Sequence, residues 1–284
     1  MDVIETSEQL TSAVTRLKLE GKTIGFVPTM GSLHPGHLSL VEEAHKNTDV
    51  VVVSIFVNPN QFNNPDDLKN YPRDLDKDIK LLKATDCELL FVPSVKDIYP
   101  EEDNRIFDFG QVDKVMEGRF RPGHFNGVAQ VVSRLFEIVK PDKAFFGLKD
   151  FQQIAVIKQM VKQLDLGVEI VACPIVRESD GLAMSSRNLL LQPGDRKKAP
   201  IIAQTLFDSC NFAQNHSVEE TQNFVIDAIN GEKSFKIEYF EIVDGETLQS
   251  VENWKDSRYI IGCIAVFAGE VRLIDNVIYK NSES

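Results

Sequence analysis

The sequence predicts an α/β protein, with a doubly wound, mostly parallel sheet in its first two thirds and a smaller α+β unit at its end. Three observations predict it. Ile24–Val27 and Val50–Val57 are uninterrupted apolar runs, and Val50–Val57 (VVVVSIFV) is rich in β-branched residues, as parallel strands covered on both faces require. Strand-like and helix-like periods then alternate as far as Val176, the order of right-handed βαβ crossovers. After Arg187 the order changes. Two helical stretches come first and three strand-like runs follow, which suits an α+β unit with an antiparallel sheet.

Taken in order, Thr6 with Gln9 can form a capping box, and Leu10, Ala13, Val14 and Leu17 share one helical face until Glu20-Gly21 ends it. Pro28 closes the Ile24–Val27 strand, and a loop with Gly31, Pro35 and Gly36 follows. From Gly36 to about residue 47 the period is helical, with Leu38, Val41 and Ala44 on one side. Asn58–Tyr71 (NPNQFNNPDDLKNY) reads as loop because Asn, Pro and Asp dominate it. Leu75, Ile79 and Leu82 mark a helix, Glu88–Val92 a strand and Arg105–Phe109 a short strand. Gly127–Lys140 is helical, Lys143–Phe146 a strand, Asp150–Leu164 a helix, and Val168–Val176 a strand interrupted by Pro174. Helices near 195–212 and 217–230 lead to strands at Phe235–Val243, Arg258–Phe267 and Val271–Ile274, and Asn281–Ser284 is expected to fray. A Rossmann-like domain over 1–180 and a C-terminal domain over 181–284 meet in the Glu-Ser-Asp-Gly segment, within 176–190.

Composition narrows the function. With 284 residues, 43% hydrophobic and 26% charged, the chain has the make-up of an ordinary globular protein and can bury a sizeable core. A net charge of −12 argues against nucleic-acid or anionic-membrane binding, which need basic patches, but leaves room for a local basic pocket. Cys87, Cys173, Cys210 and Cys263 form no CxxC pair and no metal-ligand spacing, so they read as buried, reduced thiols of a cytosolic protein. The start, MDVIETSEQL, has no basic n-region or apolar h-region, and no apolar run reaches transmembrane length. Neither a signal peptide nor a membrane span is expected.

Candidate chemistry lies where ligands of doubly wound sheets bind, just after the strands. The stretch Thr23–Lys46 reads as strand, glycine-containing loop and helix, which aims the unpaired N–H groups of a helix N-terminus at a ligand such as phosphate. His34 and His37 lie in that loop and first turn, where two imidazoles could stabilise charge on a departing polyphosphate. The plainer alternative is a capping histidine beside a solvated one. Asn58 and Gln61 follow the next strand and offer neutral hydrogen bonds. Gly147-Leu148-Lys149-Asp150 follows Lys143–Phe146, without P-loop spacing. Lys149 could meet a phosphate there, and Asp150 could cap the helix or hold a ribose hydroxyl. Ser185-Ser186-Arg187 forms an oxyanion grip in a flexible loop. Glu117–Gly127, with Arg121 and His124, looks like a second anion-binding lining. Asp74, Asp76 and Asp78 are helix-start carboxylates, one of which could approach a magnesium ion.

Together the segments PTMGSLHPGH, VSIFVNPNQF, YPRDLDKD, RPGHFNGV, FFGLKDFQQ and VRESDGLAMSSRN, in that order over residues 24–190, resemble the pantothenate synthetase family of HIGH/KMSKS-type nucleotidyltransferases. The resemblance implies an ATP-dependent, AMP-forming ligase that joins pantoate to β-alanine through pantoyl adenylate. It implies ATP contacts from Met30, Gly31, Ser32, Leu33, His34, Pro35, Gly36 and His37, with His37, His34 and Lys149 catalytic. It further implies nucleotide contacts from Gly147, Leu148, Lys149, Asp150 and Val176, and closure by Met184, Ser185, Ser186 and Arg187. Gln61 and Gln153 would hold pantoate, Gln61 would also meet β-alanine, and Asn58, Tyr71, Glu117, Arg121 and His124 would line the cavity. Mg²⁺ would accompany ATP, with Asp78 as its carboxylate. A cytoplasmic homodimer is implied, without nucleic-acid or membrane partners. Leu148 stands where many relatives carry Glu, in a slot expected to act through its backbone. A nucleotidyltransferase making a nucleotide-diphosphate product would leave Gln61 and Gln153 without an acid substrate. A non-catalytic ATP-binding module would not need His34, His37, Lys149 and Arg187 together.

Overall fold

The computed structural model describes residues 1–63 and 65–281. The fraying expected for the tail lies outside them beyond Asn281. In chain order the elements begin with β1 (Asp2–Ile4), α1 (Ser7–Leu19), β2 (Ile24–Thr29), α2 (Pro35–Asn47) and β3 (Val50–Ile55). Next come α3 (Pro65–Asn70), α4 (Leu75–Leu82), β4 (Leu89–Phe91), α5 (Val95–Ile98), α6 (Met116–Phe120) and α7 (His124–Val139). The chain continues with β5 (Lys143–Gly147), α8 (Phe151–Gln163), β6 (Glu169–Cys173), α9 (Pro193–Lys198), α10 (Ile201–Phe212) and α11 (Val218–Asn230). It ends with β7 (Phe235–Asp244), β8 (Tyr259–Ala268) and β9 (Val271–Asn281).

Two compact units emerge. The first comprises Met1–Phe109, Arg121–Leu148 and Gln153–Pro174. Its six strands run in the order β1-β4-β3-β2-β5-β6, and every neighbouring pair is parallel. From β2 the chain moves outward through β3 and β4, then returns to β5 on the other side of β2 and continues to β6. The order therefore reverses between β2 and β5, and the crevice at their carboxyl ends is the expected ligand site. Val27, Val51, Val53, Leu90 and Phe145 on the sheet pack with Leu40, Val41 and Ala44 of α2 and Leu82 of α4 in one buried cluster.

The second unit comprises Gly110–Phe120, Lys149–Gln152 and Ile175–Ser284, described as far as Asn281. Its sheet is antiparallel, β7-β8-β9. A separate core joins Ile202, Leu206, Val225 and Ile229 of its helices to Phe240, Ile242, Ile260 and Ile264 of its strands.

Three local expectations change. Pro28 does not end its strand, since β2 continues to Thr29. The carbonyls of Thr23 and Thr29 accept from Val50 and Phe56, whereas that of Ile24 accepts from Asp142, so odd residues face β3 and even residues face β5. Pairing with β5 stops at Phe26, so the missing N–H of Pro28 removes no ladder bond. Arg105–Phe109 is not a strand. Its polar backbone is taken up by amide side chains of α7. The Phe107 amide donates to Asn126 Oδ1 at 2.9 Å, and Asn126 Nδ2 and Gln130 Nε2 donate to the Arg105 carbonyl at 3.1 and 2.9 Å. Within the expected Asn58–Tyr71 loop, Pro59–Gln61 forms a 3₁₀ turn and Pro65–Asn70 a short helix, each opened by the proline whose fixed φ suits a first helical position.

Candidate active site

In the first unit, β2 delivers Met30–His37 to the crevice. Gly31 and Ser32 both have left-handed backbone, with φ of 81° and 51°. An added Cβ on Gly31 would lie 3.0 Å from Asp78 Oδ2 and 3.1 Å from Ile55 Cγ2, so this position needs glycine twice over. The tight turn directs the amides of Ser32 and Leu33 onto the Asp78 carboxylate at 2.8 and 2.7 Å. Asp78 is 2% exposed. Burial pushes its carboxyl above the usual range, against the opposing effect of those two amides. Its neighbour Asp74 caps α4, accepting from the Lys77 amide at 3.0 Å.

Asp78 does not fit a resident magnesium site: each of its oxygens holds a backbone amide. Among the described residues, no three His, Cys, Asp or Glu side chains are grouped to hold a metal ion.

His34 is the N-cap of α2 and Pro35 its first residue. The His34 amide donates to His37 Nδ1 at 3.3 Å, and the rings lie 4.0 Å apart, centroid to centroid. With Nδ1 accepting, a neutral His37 carries its proton on Nε2. The sequence offered a capping histidine and a ligand histidine as alternatives; in this geometry the contact at the cap fixes the orientation of the His37 ring.

Asn58 is 1% exposed. Its Nδ2 donates to Gln61 Oε1 at 3.2 Å and to the Gly127 carbonyl at 3.0 Å, while its Oδ1 accepts from the Tyr99 hydroxyl at 2.9 Å. Gln61 Nε2 in turn contacts Met30 Sδ at 3.2 Å, and His124 Nδ1 lies 2.8 Å from the Gln61 carbonyl. Gly127 makes this possible: a Cβ there would fall 2.4 Å from the Asn60 carbonyl oxygen. Met30, Asn58, Gln61 and His124 are thus one connected set. Tyr71 is buried and meets Phe62 edge-on, with ring centroids 5.8 Å apart. Gln153 and Arg121 are half-buried in the same unit. Gly147 and Leu148 leave the carboxyl end of β5, beside β2.

In the second unit, Lys149 Nζ lies 3.2 Å from an Asp150 carboxylate oxygen. Ser185 caps a 3₁₀ turn and accepts from the Arg187 amide at 3.2 Å, and Ser186 is buried. The Met184 amide donates to the Val176 carbonyl at 3.0 Å, beside an antiparallel bridge between Arg177 and Ala183. Glu117, expected to line a cavity, has its carboxylate committed within this unit. It accepts from Arg272 Nη2 at 2.6 Å and from the Tyr239 hydroxyl at 3.1 Å.

Sequence reasoning missed several supporting residues. Gln152, next to the chosen Gln153, is 4% exposed, accepts from the Glu117 amide at 2.9 Å and donates to the Val112 and Val115 carbonyls at 2.7 and 2.8 Å. Tyr99 carried no signal. Asp275 and Asn276 did carry one, as a polar pair inside the apolar run VRLIDNVIY.

Comparison with known proteins identifies the family. The family model for pantoate-beta-alanine ligase matches residues 2–278. The pantothenate synthetase of Phocaeicola vulgatus is 58% identical over 99% of this chain and 100% of its own length. That of Porphyromonas gingivalis is 52% identical over the same shares. Among solved structures, pantothenate synthetase from Thermus thermophilus superposes with a TM-score of 0.93 at 43% identity, covering 99% of this chain and 100% of that one. Pantoate-beta-alanine ligase from Francisella tularensis, complexed with beta-gamma ATP and beta-alanine, gives 0.81 at 37% identity, with both chains fully covered. With a family model spanning nearly every residue and relatives matched end to end, this chain belongs to the pantoate-beta-alanine ligase family.

Proposed function

We propose that the protein condenses (R)-pantoate with β-alanine, using ATP and releasing AMP and pyrophosphate. A pantoate carboxylate oxygen attacks the α-phosphorus, and the bond from phosphorus to the bridging oxygen of pyrophosphate breaks. The β-alanine amine then attacks the acyl carbon of pantoyl adenylate, its proton passes to solvent, and the carbon–oxygen bond to AMP breaks. Family membership supports this reading. The observation that carries it in the site is the locked pair His34–His37, which presents an Nε2 proton at the start of α2. Such a donor is useful where charge grows on a departing pyrophosphate.

In this reading Met30–His37, Gly147–Asp150, Val176 and Met184–Arg187 hold ATP. Lys149 exchanges its half-open ion pair with Asp150 for a phosphate oxygen; exposed pairs of this kind are weak, about 0–1 kcal/mol. Gln61 and Gln153 present pantoate, Gln61 also meets β-alanine, and Asn58, Tyr71, Arg121 and His124 flank them. Neutral amides leave the attacking carboxylate nucleophilic, which a tight ion pair would not. Magnesium enters on the triphosphate as part of the substrate. No helix among the described residues is long and apolar enough to cross a membrane, and the reading includes a cytoplasmic homodimer.

The test supplies ATP, Mg²⁺, pantoate and β-alanine to the wild type, His37→Ala and Lys149→Ala. The wild type is expected to form AMP and pantothenate in equal amounts, and both variants little of either. AMP formation without pantoate, or none with it, refutes the proposal.

A further inference from the structure

The strand β9 carries two consecutive polar residues, Asp275 and Asn276, that are 3% and 6% exposed. Consecutive residues of a strand point to opposite faces, so each needs its own partner if burial is not to be costly. Both have one: the partner of Asn276 lies in a segment read above as nucleotide-binding, and that of Asp275 directly follows Val176, at the base of the loop that bears Met184–Arg187. Asp275 takes a two-pronged ion pair from Arg177, with Nη1 at 2.6 Å and Nη2 at 2.9 Å, and also accepts from the Asn276 amide at 2.8 Å. Asn276 Nδ2 donates to the Lys149 carbonyl at 3.2 Å.

The Asp275 pair does not end at Arg177. Arg177 Nη1 also donates to the Gly181 carbonyl at 3.1 Å, and its guanidinium carbon lies 4.8 Å from the centre of the Phe207 ring. Arg177 bridges to Ala183, the residue before Met184. Asn188 Nδ2 closes the same loop from its far end, donating to Glu178 Oε1 at 2.7 Å and to the Ala183 carbonyl at 3.1 Å. Met184–Arg187 is therefore suspended between Arg177 and Asn188, and Arg177 is fixed by Asp275. A buried ion pair of this kind adds little stability over a well-packed apolar replacement. What it adds here is direction.

We propose that Asp275 and Asn276 are positioning residues for nucleotide binding. Side by side on β9, they set the backbone of Lys149 and the base of the loop bearing Met184–Arg187. The proposal rests on the functional reading above and deepens it, assigning a role to a strand that touches no reacting atom. Asn276 fixes the carbonyl of Lys149 and leaves its side chain free to turn from Asp150 to a phosphate. Asp275 lets the serine–arginine turn move only about a fixed base. Misplacing such a group by about 1 Å lowers turnover on the order of a hundredfold.

The experiment compares the wild type with Asn276→Leu, Asp275→Asn and Leu273→Ala. Leu273 is buried on the same strand, at 5% exposure, and serves as the control for packing. ATP binding is read by calorimetric titration. The two half-reactions are read separately, as pantoate-dependent pyrophosphate exchange and as β-alanine attack on preformed pantoyl adenylate. Asn276→Leu is expected to weaken ATP binding and adenylation by about ten- to a hundredfold and to leave the second half-reaction close to wild type. Asp275→Asn keeps the shape and one acceptor and is expected to fall between. Leu273→Ala is expected to melt earlier with unchanged ATP parameters. Should Asn276→Leu not fold, Asn276→Ser, too short to reach the Lys149 carbonyl, carries the same test. If both polar variants behave as Leu273→Ala does, the proposal is overturned. A wild type that binds ATP yet forms no AMP from pantoate refutes the functional reading; weakened ATP binding in the variants still upholds the positioning role.

Discussion

Asp78 holds the turn after β2 through two backbone amides, and its replacement gives the sharpest test of the site. Its two oxygens accept the Ser32 and Leu33 amides at 2.8 and 2.7 Å, and both amides belong to left-handed or immediately following backbone. Asp78→Ala removes two charge-assisted bonds and leaves the Leu33 amide buried without a partner. A lost bond to a charged group is worth about 1.5–3 kcal/mol, and an orphaned buried donor costs about 1–3 kcal/mol. Desolvation of the carboxylate offsets part of this, so the alanine variant is expected to lose about 4 kcal/mol. Asp78→Asn keeps one acceptor but turns an NH₂ toward the other amide, and is expected to lose about 2 kcal/mol. In a protein of this size that corresponds to about 4–8 °C in melting temperature.

The pH dependence of that loss has a definite sign. Burial raises the folded carboxyl above 3.8, so this group's stabilisation is complete below the unfolded value and is lost as pH rises through the folded one. Asp78→Asn lacks that slope. The gap in melting temperature between wild type and variant should therefore narrow as pH rises. Because the carboxylate serves the loop and not a cation, the variant's higher KM for ATP should not recover with added Mg²⁺. Thermal melts across pH and a magnesium titration of the ATP KM check both statements. An Asp78→Asn protein with unchanged melting and full recovery at high Mg²⁺ would show the reasoning to be mistaken.

Three further outcomes are expected. His37→Gln, which can place an amide donor near the Nε2 position but cannot reproduce the Nδ1 acceptor, should retain more adenylation activity than His37→Ala; the latter should fall about a hundred- to a thousandfold, as for a single oxyanion donor, measured by pyrophosphate exchange. Gly127→Ala must displace the Asn60 backbone, 2.4 Å from the new Cβ, and with it Gln61. Its KM for pantoate should rise more than its KM for ATP, with a stability loss of about 1–3 kcal/mol. Burial pushes the thiol of Cys87 up to about 12 and that of Cys173 to about 11. Iodoacetamide at neutral pH should therefore label the half-buried Cys210 before either, as read by peptide mass spectrometry.

The strands and the helix starts that follow them were legible because their signals are local. A β-branched run such as Val50–Ile55 declares itself within six residues, and His34–His37 declares a helix start within four. Arg105–Phe109 misled for the same reason. Its alternation is strand-like, but whether a strand forms depends on what its backbone meets, and here Asn126 and Gln130 of α7 arrive first. Pro28 misled because a missing N–H matters only where a neighbouring strand would have used it.

The residues that hold the site lay beyond local reading, since each acts across a long stretch of chain: Asp78 on Ser32 and Leu33, Gln152 on Val112 and Val115, Asp275 on Arg177. Yet they left a mark. Asp78 stands four residues before Leu82, on the face that α4 turns inward, and Leu82 is fully buried. Gln130 interrupts the apolar face of α7, and Asp275-Asn276 interrupts β9. A polar group set into an apolar period must find a partner after burial, so such an interruption announces a bracket even when the sequence cannot name what it grips. The resemblance assigns Asp78 to the magnesium that accompanies ATP. The period of its own helix already placed it inside, where the unmet need is that of the backbone amides bent toward it by Gly31.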